Sequence, residues 1–217
     1  MVHPEVPVAL GLAVPLALST GRAGPRTGSV AQVEVAKVEK ADADAVEAQL
    51  GRAPRGLRAV AHRCPCGNPD VVETAPRLPD GSPFPTLYYL TCPRAASAIG
   101  TLEGEGVMAR MNERLRADPD LAAAYRAAHE DYLRRRDEIE VLAGFPSAGG
   151  MPDRVKCLHV LVAHALAAGP GVNPLGDEAL AMLPRWWRSG PCVSAGRAGA
   201  EPAETPDPAE TSAPEPR

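Results

Sequence analysis

Aromatic bulk is scarce in this chain, with two Phe, two Trp and four Tyr among 217 residues. Much of the 45% apolar share is Ala, which buries little surface, so a core must lean on Leu and Val. Middling rather than high stability is expected from such a composition. A basic excess is also missing, since the formal net charge is −4. Without that excess and interleaved aromatics, nucleic-acid binding is not indicated. The charge is unevenly placed. Residues 195–217 set Glu201, Glu204, Asp207, Glu210 and Glu215 against Arg197 and Arg217, for −3. Residues 1–38 come to +1, which leaves about −2 for the middle of the chain. The longest apolar stretch, residues 6–18, is interrupted by Pro7 and Pro15 and is too short to span a bilayer as a helix. Only His3 and Glu5 stand where a signal peptide carries its bases. Neither membrane insertion nor secretion is expected, and a cytoplasmic location is. The five cysteines (64, 66, 92, 157 and 192) are an odd number without a dense framework, which argues for reduced thiols rather than a disulfide scaffold.

Periodicity is absent before Val38 and after Val193, and no internal repeat is visible. Residues 1–37 read as a disordered or over-long N-terminal extension, with translation starting nearer Val33 or Val35. Residues 194–217 read as a disordered acidic tail rich in Pro, Ala and Glu. Between them, residues 38–193 are expected to form a single α+β domain, with a small antiparallel sheet in the N-terminal half packed against a helical C-terminal half. Ala41, Ala45, Val46 and Leu50 make a helical stripe that Gly51 ends. Alternation over residues 57–63, then residues 71–74 and 86–91, predicts three strands separated by the turn-rich segments 64–69 and 78–85. Helices are predicted over residues 95–104, from Val107 to the stop at Asp118-Pro119, over 121–142, over 152–168, and from Asp177 towards Trp187. Pro184 should end the last of these early. The charge run Arg134, Arg135, Arg136, Asp137, Glu138 reads as a solvated face. Trp186-Trp187 reads as a lid over the core.

The chemistry concentrates at Gly149-Gly150-Met151-Pro152-Asp153-Arg154-Val155-Lys156-Cys157-Leu158-His159 and on to His164. On a helix begun by Pro152, Cys157 and His164 share a face, whereas His159 lies about 160° from Cys157 and could not chelate the same ion. Cys64 and Cys66 flank a proline in a tight turn, and Cys92 stands where a strand passes to a helix, both common settings for zinc thiolates. The metal set expected is therefore Cys64, Cys92, Cys157 and His164, holding zinc. Against it stands the plainer reading of free cysteines as small buried hydrophobes, since paired Cys-x-x-Cys knuckles are missing. A third reading makes Cys157 a nucleophile near the positive end of its helix, with His164 as base. Arg154 and Lys156, beside the helix start, suit an anion; ordinary turn glycines explain the Gly149-Gly150 entry equally well.

Four strings carry a wider resemblance: Arg63-Cys64-Pro65; Thr74-Ala75-Pro76-Arg77-Leu78; residues 80–91, Asp80-Gly81-Ser82-Pro83-Phe84-Pro85-Thr86-Leu87-Tyr88-Tyr89-Leu90-Thr91; and the Gly149–His159 segment, extended by Gly171-Val172-Asn173-Pro174-Leu175-Gly176-Asp177-Glu178. They resemble the domain of unknown function 501 family over roughly residues 38–192. The resemblance implies an uncharacterised actinobacterial-type cytoplasmic protein, encoded near enolase, a septum-formation protein and an exopolyphosphatase. In the family pattern Cys64, Cys157, His159 and His164 have counterparts, and position 92 is Cys or His, an exchange that suits a metal ligand. Cys66 and Cys192 are peculiar to this chain. Two functions follow as expectations. One is a non-catalytic protein with a structural Cys/His cluster that binds a protein partner, linked to cell division or phosphate metabolism. The other is an enzyme on a small anionic or phosphorylated substrate, using Cys157, His164, Arg154 and Lys156.

Overall fold

Three short antiparallel strands and six helices make up the computed structural model, which describes residues 38–148, 151 and 153–194. These belong to one compact unit within Val35–Arg217. The expected N-terminal extension, residues 1–37, and the acidic tail beyond Ser194 lie outside the described residues. Helix α1, Lys40–Leu50, ends where expected, at Gly51, whose φ of 66° is left-handed and easy only for glycine. Strands β1 (Leu57–Arg63), β2 (Pro69–Thr74) and β3 (Tyr88–Leu90) pair in the order β1-β2-β3, with Val60 opposite Val72 and Val72 opposite Tyr89. The architecture is α+β, as the periodicity predicts, and β3 is shorter than the 86–91 run that predicted it.

Helices α2 (Pro93–Gly104), α3 (Val107–Ala117), α4 (Pro119–Asp137), α5 (Leu158–Ala168) and α6 (Pro174–Met182) follow. Their starts are written in the chain. Proline opens α2, α4 and α6, where its missing N–H costs nothing. The Asp118 carboxylate accepts from the N–H groups of Asp120 and Leu121, and the Asn173 side chain accepts from Gly176. None of the described helices is long and apolar enough to cross a membrane.

Helix α5 lies at the centre. Its sequence, Leu-His-Val-Leu-Val-Ala-His-Ala-Leu-Ala-Ala, is apolar nearly all round, the mark of a helix covered on every side. It contacts β3, α2 and α6, and the scarce aromatics are spent against it: Tyr88, Tyr125 and Tyr132 are all buried in its cluster with Ile99, Met111 and Leu175. The Tyr132 hydroxyl accepts from the N–H of Leu87 at 2.6 Å, which ties α4 to the strand edge. A smaller cluster joins Cys64, Cys92, Ala95 and Trp186, so Trp186 does cover buried residues as expected.

Two expectations about helix faces need correction. Arg136 is not solvated: it is 2% exposed, its guanidinium donating to the Phe145 carbonyl at 3.0 Å and pairing with Asp137. The burial of α4 against the core turns this one member of the charge run inward, while Arg134 remains largely exposed. The predicted helix over 152–168 begins six residues late, at Leu158. The reason is tertiary. The Asn112 side chain on α3 donates to the Val155 carbonyl at 2.9 Å and accepts from the Val155 N–H at 2.8 Å, which removes both groups from any helical ladder. Tyr125 adds a donation from its hydroxyl to the Arg154 carbonyl.

Candidate functional site

Because α5 starts at Leu158, Cys157 is its N-terminal capping residue, in an extended conformation with φ −157° and ψ 122°. The roughly 100° per residue of a helix therefore does not apply between Cys157 and His159, and the two side chains converge. Glu103, at the end of α2, completes the group: ligand atoms of Glu103, Cys157 and His159 all lie within 4.8 Å of one another. The Glu103 carboxylate accepts from the Leu158 N–H at 2.6 Å, which caps α5 from a neighbouring helix, and lies 3.3 Å from His159 Nδ1. The other ring nitrogen, Nε2, lies 3.2 Å from the Ala96 carbonyl oxygen. The His159 pKa is raised to about 9, chiefly by its contact with Cys157, with burial opposing and Glu103 assisting.

Cys157 and His159 line a cavity of about 470 Å³ whose other walls are Thr86, Tyr88, Tyr89 and Leu90 along the strand edge, Ala96, Tyr132 and Val160. No arginine, lysine or acid faces it among the described lining residues.

The four-ligand set expected from the sequence is not assembled. Among the described residues, Glu103, Cys157 and His159 form the one close group of three or more such side chains. Cys64 and Cys92 pack with Ala95 and Trp186, with Cys66 and Cys192 at the edge of that cluster. Burial pushes the Cys64 thiol up to about 12 and the Cys92 thiol up to about 11, so both are neutral there. His164 is fully buried, its Nε2 3.1 Å from Asp131 Oδ2 and its Nδ1 accepting from Asn173 at 3.4 Å. Burial lowers its pKa, although Asp131 pulls the other way. The ring stacks on Tyr88 at 6.0 Å and meets Tyr132 edge-on at 5.3 Å. It does not join the Cys157 group, and its ring nitrogens face Asp131 and Asn173 instead. It braces two tyrosines of the cavity wall.

Arg154 and Lys156 are exposed and line a different cavity from Cys157. The Leu158 N–H at the start of α5 is taken by Glu103. The glycine entry at 149–150 and the proline at 152 lie outside the described residues. Glu103 and His159 were missed by periodicity. The one signal for His159 was its place in the string shared with the family, and nothing in the chain singled out Glu103.

No curated protein and no solved structure matches the chain. A family model described as protein of unknown function (DUF501) matches residues 60–181, more than half of the chain, and takes in Glu103, Cys157 and His159; the protein belongs to that family.

Proposed function

We propose that the protein binds one zinc ion between Glu103, Cys157 and His159 and presents it to a small, uncharged ligand held against Tyr88, Tyr89 and Tyr132. The observation that carries this reading is the convergence of a carboxylate, a thiol and an imidazole within 4.8 Å, the thiol and the imidazole standing on the wall of a 470 Å³ cavity. Sulfur, nitrogen and oxygen donors together suit zinc, and three protein ligands with a fourth position open are the arrangement of sites that act on a ligand rather than merely hold a fold. The surroundings suit it as well. With Nε2–H donated to the Ala96 carbonyl, Nδ1 keeps its lone pair toward Glu103 and Cys157, the tautomer a metal needs. A zinc ion there would polarise a bound carbonyl or lower the pKa of a bound water. Partner binding linked to cell division or phosphate metabolism draws its support from the family resemblance, not from this site.

A second reading has its own observation. Both ring nitrogens of His159 face oxygen acceptors, which favours the imidazolium and agrees with its raised pKa. Cys157 beside that imidazolium, at the positive start of α5, is then a nucleophile. Elemental analysis of full-length protein purified without a metal-binding tag separates the two. The zinc reading expects close to one zinc per chain, lost in Cys157→Ser and His159→Gln and kept in Cys64→Ser. Folded, metal-free protein whose Cys157 alkylates quickly near neutral pH would select the nucleophile instead.

A further inference from the structure

The segment before α5 also borders a second cavity, of about 330 Å³, whose lining does not include Cys157. Helix α3 supplies Asn112, Leu115 and Arg116, which are three and four residues apart and so share one face. The segment supplies Asp153, Arg154 and Lys156. Three cations thus meet one acid around a concave space. None of Arg116, Arg154 and Lys156 forms an ion pair among the described residues. Arg114, two residues before Arg116 on the same helix, is instead taken by Glu178 at 2.6 Å.

The backbone that displays these cations is held before any ligand arrives. Asn112 clamps Val155 through both its N–H and its carbonyl, the Tyr125 hydroxyl donates to the Arg154 carbonyl, and Val155 is buried at 3% exposure. Val155 is held inward, and Arg154 and Lys156 on either side of it line the cavity. A rigid frame lowers the ordering cost of binding. Two guanidinium forks, one on α3 and one on the segment, together with an ammonium lining the same cavity, match the oxygens of a tetrahedral oxyanion better than those of a lone carboxylate.

We infer that Arg116, Arg154 and Lys156 form a binding site for the phosphate group of a small phosphorylated molecule, separate from the Cys157 site. This inference does not rest on the zinc reading. Its volume suits a phosphate or a pyrophosphate unit, at the small end of ligand cavities.

The test is calorimetric titration of full-length protein with inorganic pyrophosphate, and then inorganic phosphate, at fixed ionic strength. One saturable site per chain is expected. Arg116→Ala, Arg154→Ala and Lys156→Ala should each weaken it at least tenfold while leaving the melting temperature unchanged, and Arg188→Ala, remote from the cavity, should leave affinity unchanged. Cys157→Ser should bind pyrophosphate as the parent does. Pyrophosphate can also be captured by a metal ion, so binding that vanishes in Cys157→Ser would place the anion on the Glu103 group and overturn the inference. Absence of saturable heat at millimolar pyrophosphate, or equal weakening by Arg188→Ala, would overturn it too.

Discussion

Five thiols share one chain but not one environment. Cys64 and Cys92 are buried at 3% and 1% exposure and held protonated, whereas Cys157 is half-buried at a cavity wall. Only the thiolate attacks an alkylating agent, so pKa and access together set the order of reaction. After chelation of metal, iodoacetamide near neutral pH should modify Cys157 well before Cys64 or Cys92, read by mass spectrometry of the digested protein. Labelling of Cys64 first would show that the buried cluster opens more readily than this packing allows. The two histidines give opposite pH signs. His159 has its pKa raised from 6.5 to about 9, so in metal-free protein its stabilising contribution is whole below pH 6.5 and is lost as pH rises through 9. His164 has its pKa lowered, so its contribution is whole above pH 6.5 and is lost as pH falls. Melting temperatures of the metal-free protein should therefore fall as pH rises from 6.5 through 9 and again as pH drops below 6.5. His159→Gln should flatten the alkaline limb alone.

At the scale of elements, the site depends on how α5 is started and what lies against it. Removing the Asn112 side chain leaves the Val155 N–H and carbonyl without their partners, a loss of about 1–3 kcal/mol when such groups are buried. Asn112→Ala should lower the unfolding free energy measured in urea by that amount and weaken whatever Cys157 binds, because the same clamp holds Cys157 out of the helix. The α5–α6 contact is close in another way. A Cβ on Gly176 would sit 2.4 Å from the Leu161 carbonyl oxygen and 3.0 Å from the Ala165 Cβ. Backbone cannot yield as a flexible side chain does, so Gly176→Ala should cost about 1–3 kcal/mol by overpacking. An unchanged thermal melt would show that α6 is free to shift. Asn173, which caps α6 and also bonds His164, links this contact to the tyrosine wall of the cavity.

At the scale of the whole molecule, a polar set stands beside α5 within the apolar centre of the described residues. Tyr88, Tyr132, His164 and Asp131 form a bonded and stacked set between the strand edge, α4 and α5, and this set backs the cavity that Cys157 and His159 line. Among the described residues, the core draws its contacts from α2 through α6 and all three strands, and α1 packs on β2. A chain trimmed to residues 38–194 should accordingly melt within a degree or two of the full-length protein, as calorimetry would read directly. A larger drop would show that residues beyond those limits bury apolar surface.

Local chemistry decided most of the elements before any fold existed. Gly51 in its left-handed turn, the prolines opening α2, α4 and α6, the Asp118 and Asn173 caps and the alternation along β1 all act through neighbours in the chain, and the α+β class follows from them. Cys157 was legible as a residue of interest for the same reason, standing in a string dense with reactive groups. Its companions were not. Helical phase assumes the helix continues, and at residue 155 two hydrogen bonds from an asparagine 43 positions away end that assumption. Glu103 reaches the site from 55 residues away, and His164 is removed from it because Asp131 and Asn173 satisfy its ring in the core. Propensity is summed over near neighbours, whereas backbone groups must find partners wherever the fold puts them. The start of α5, and with it the pairing of Cys157 with His159, belongs to that second kind of decision.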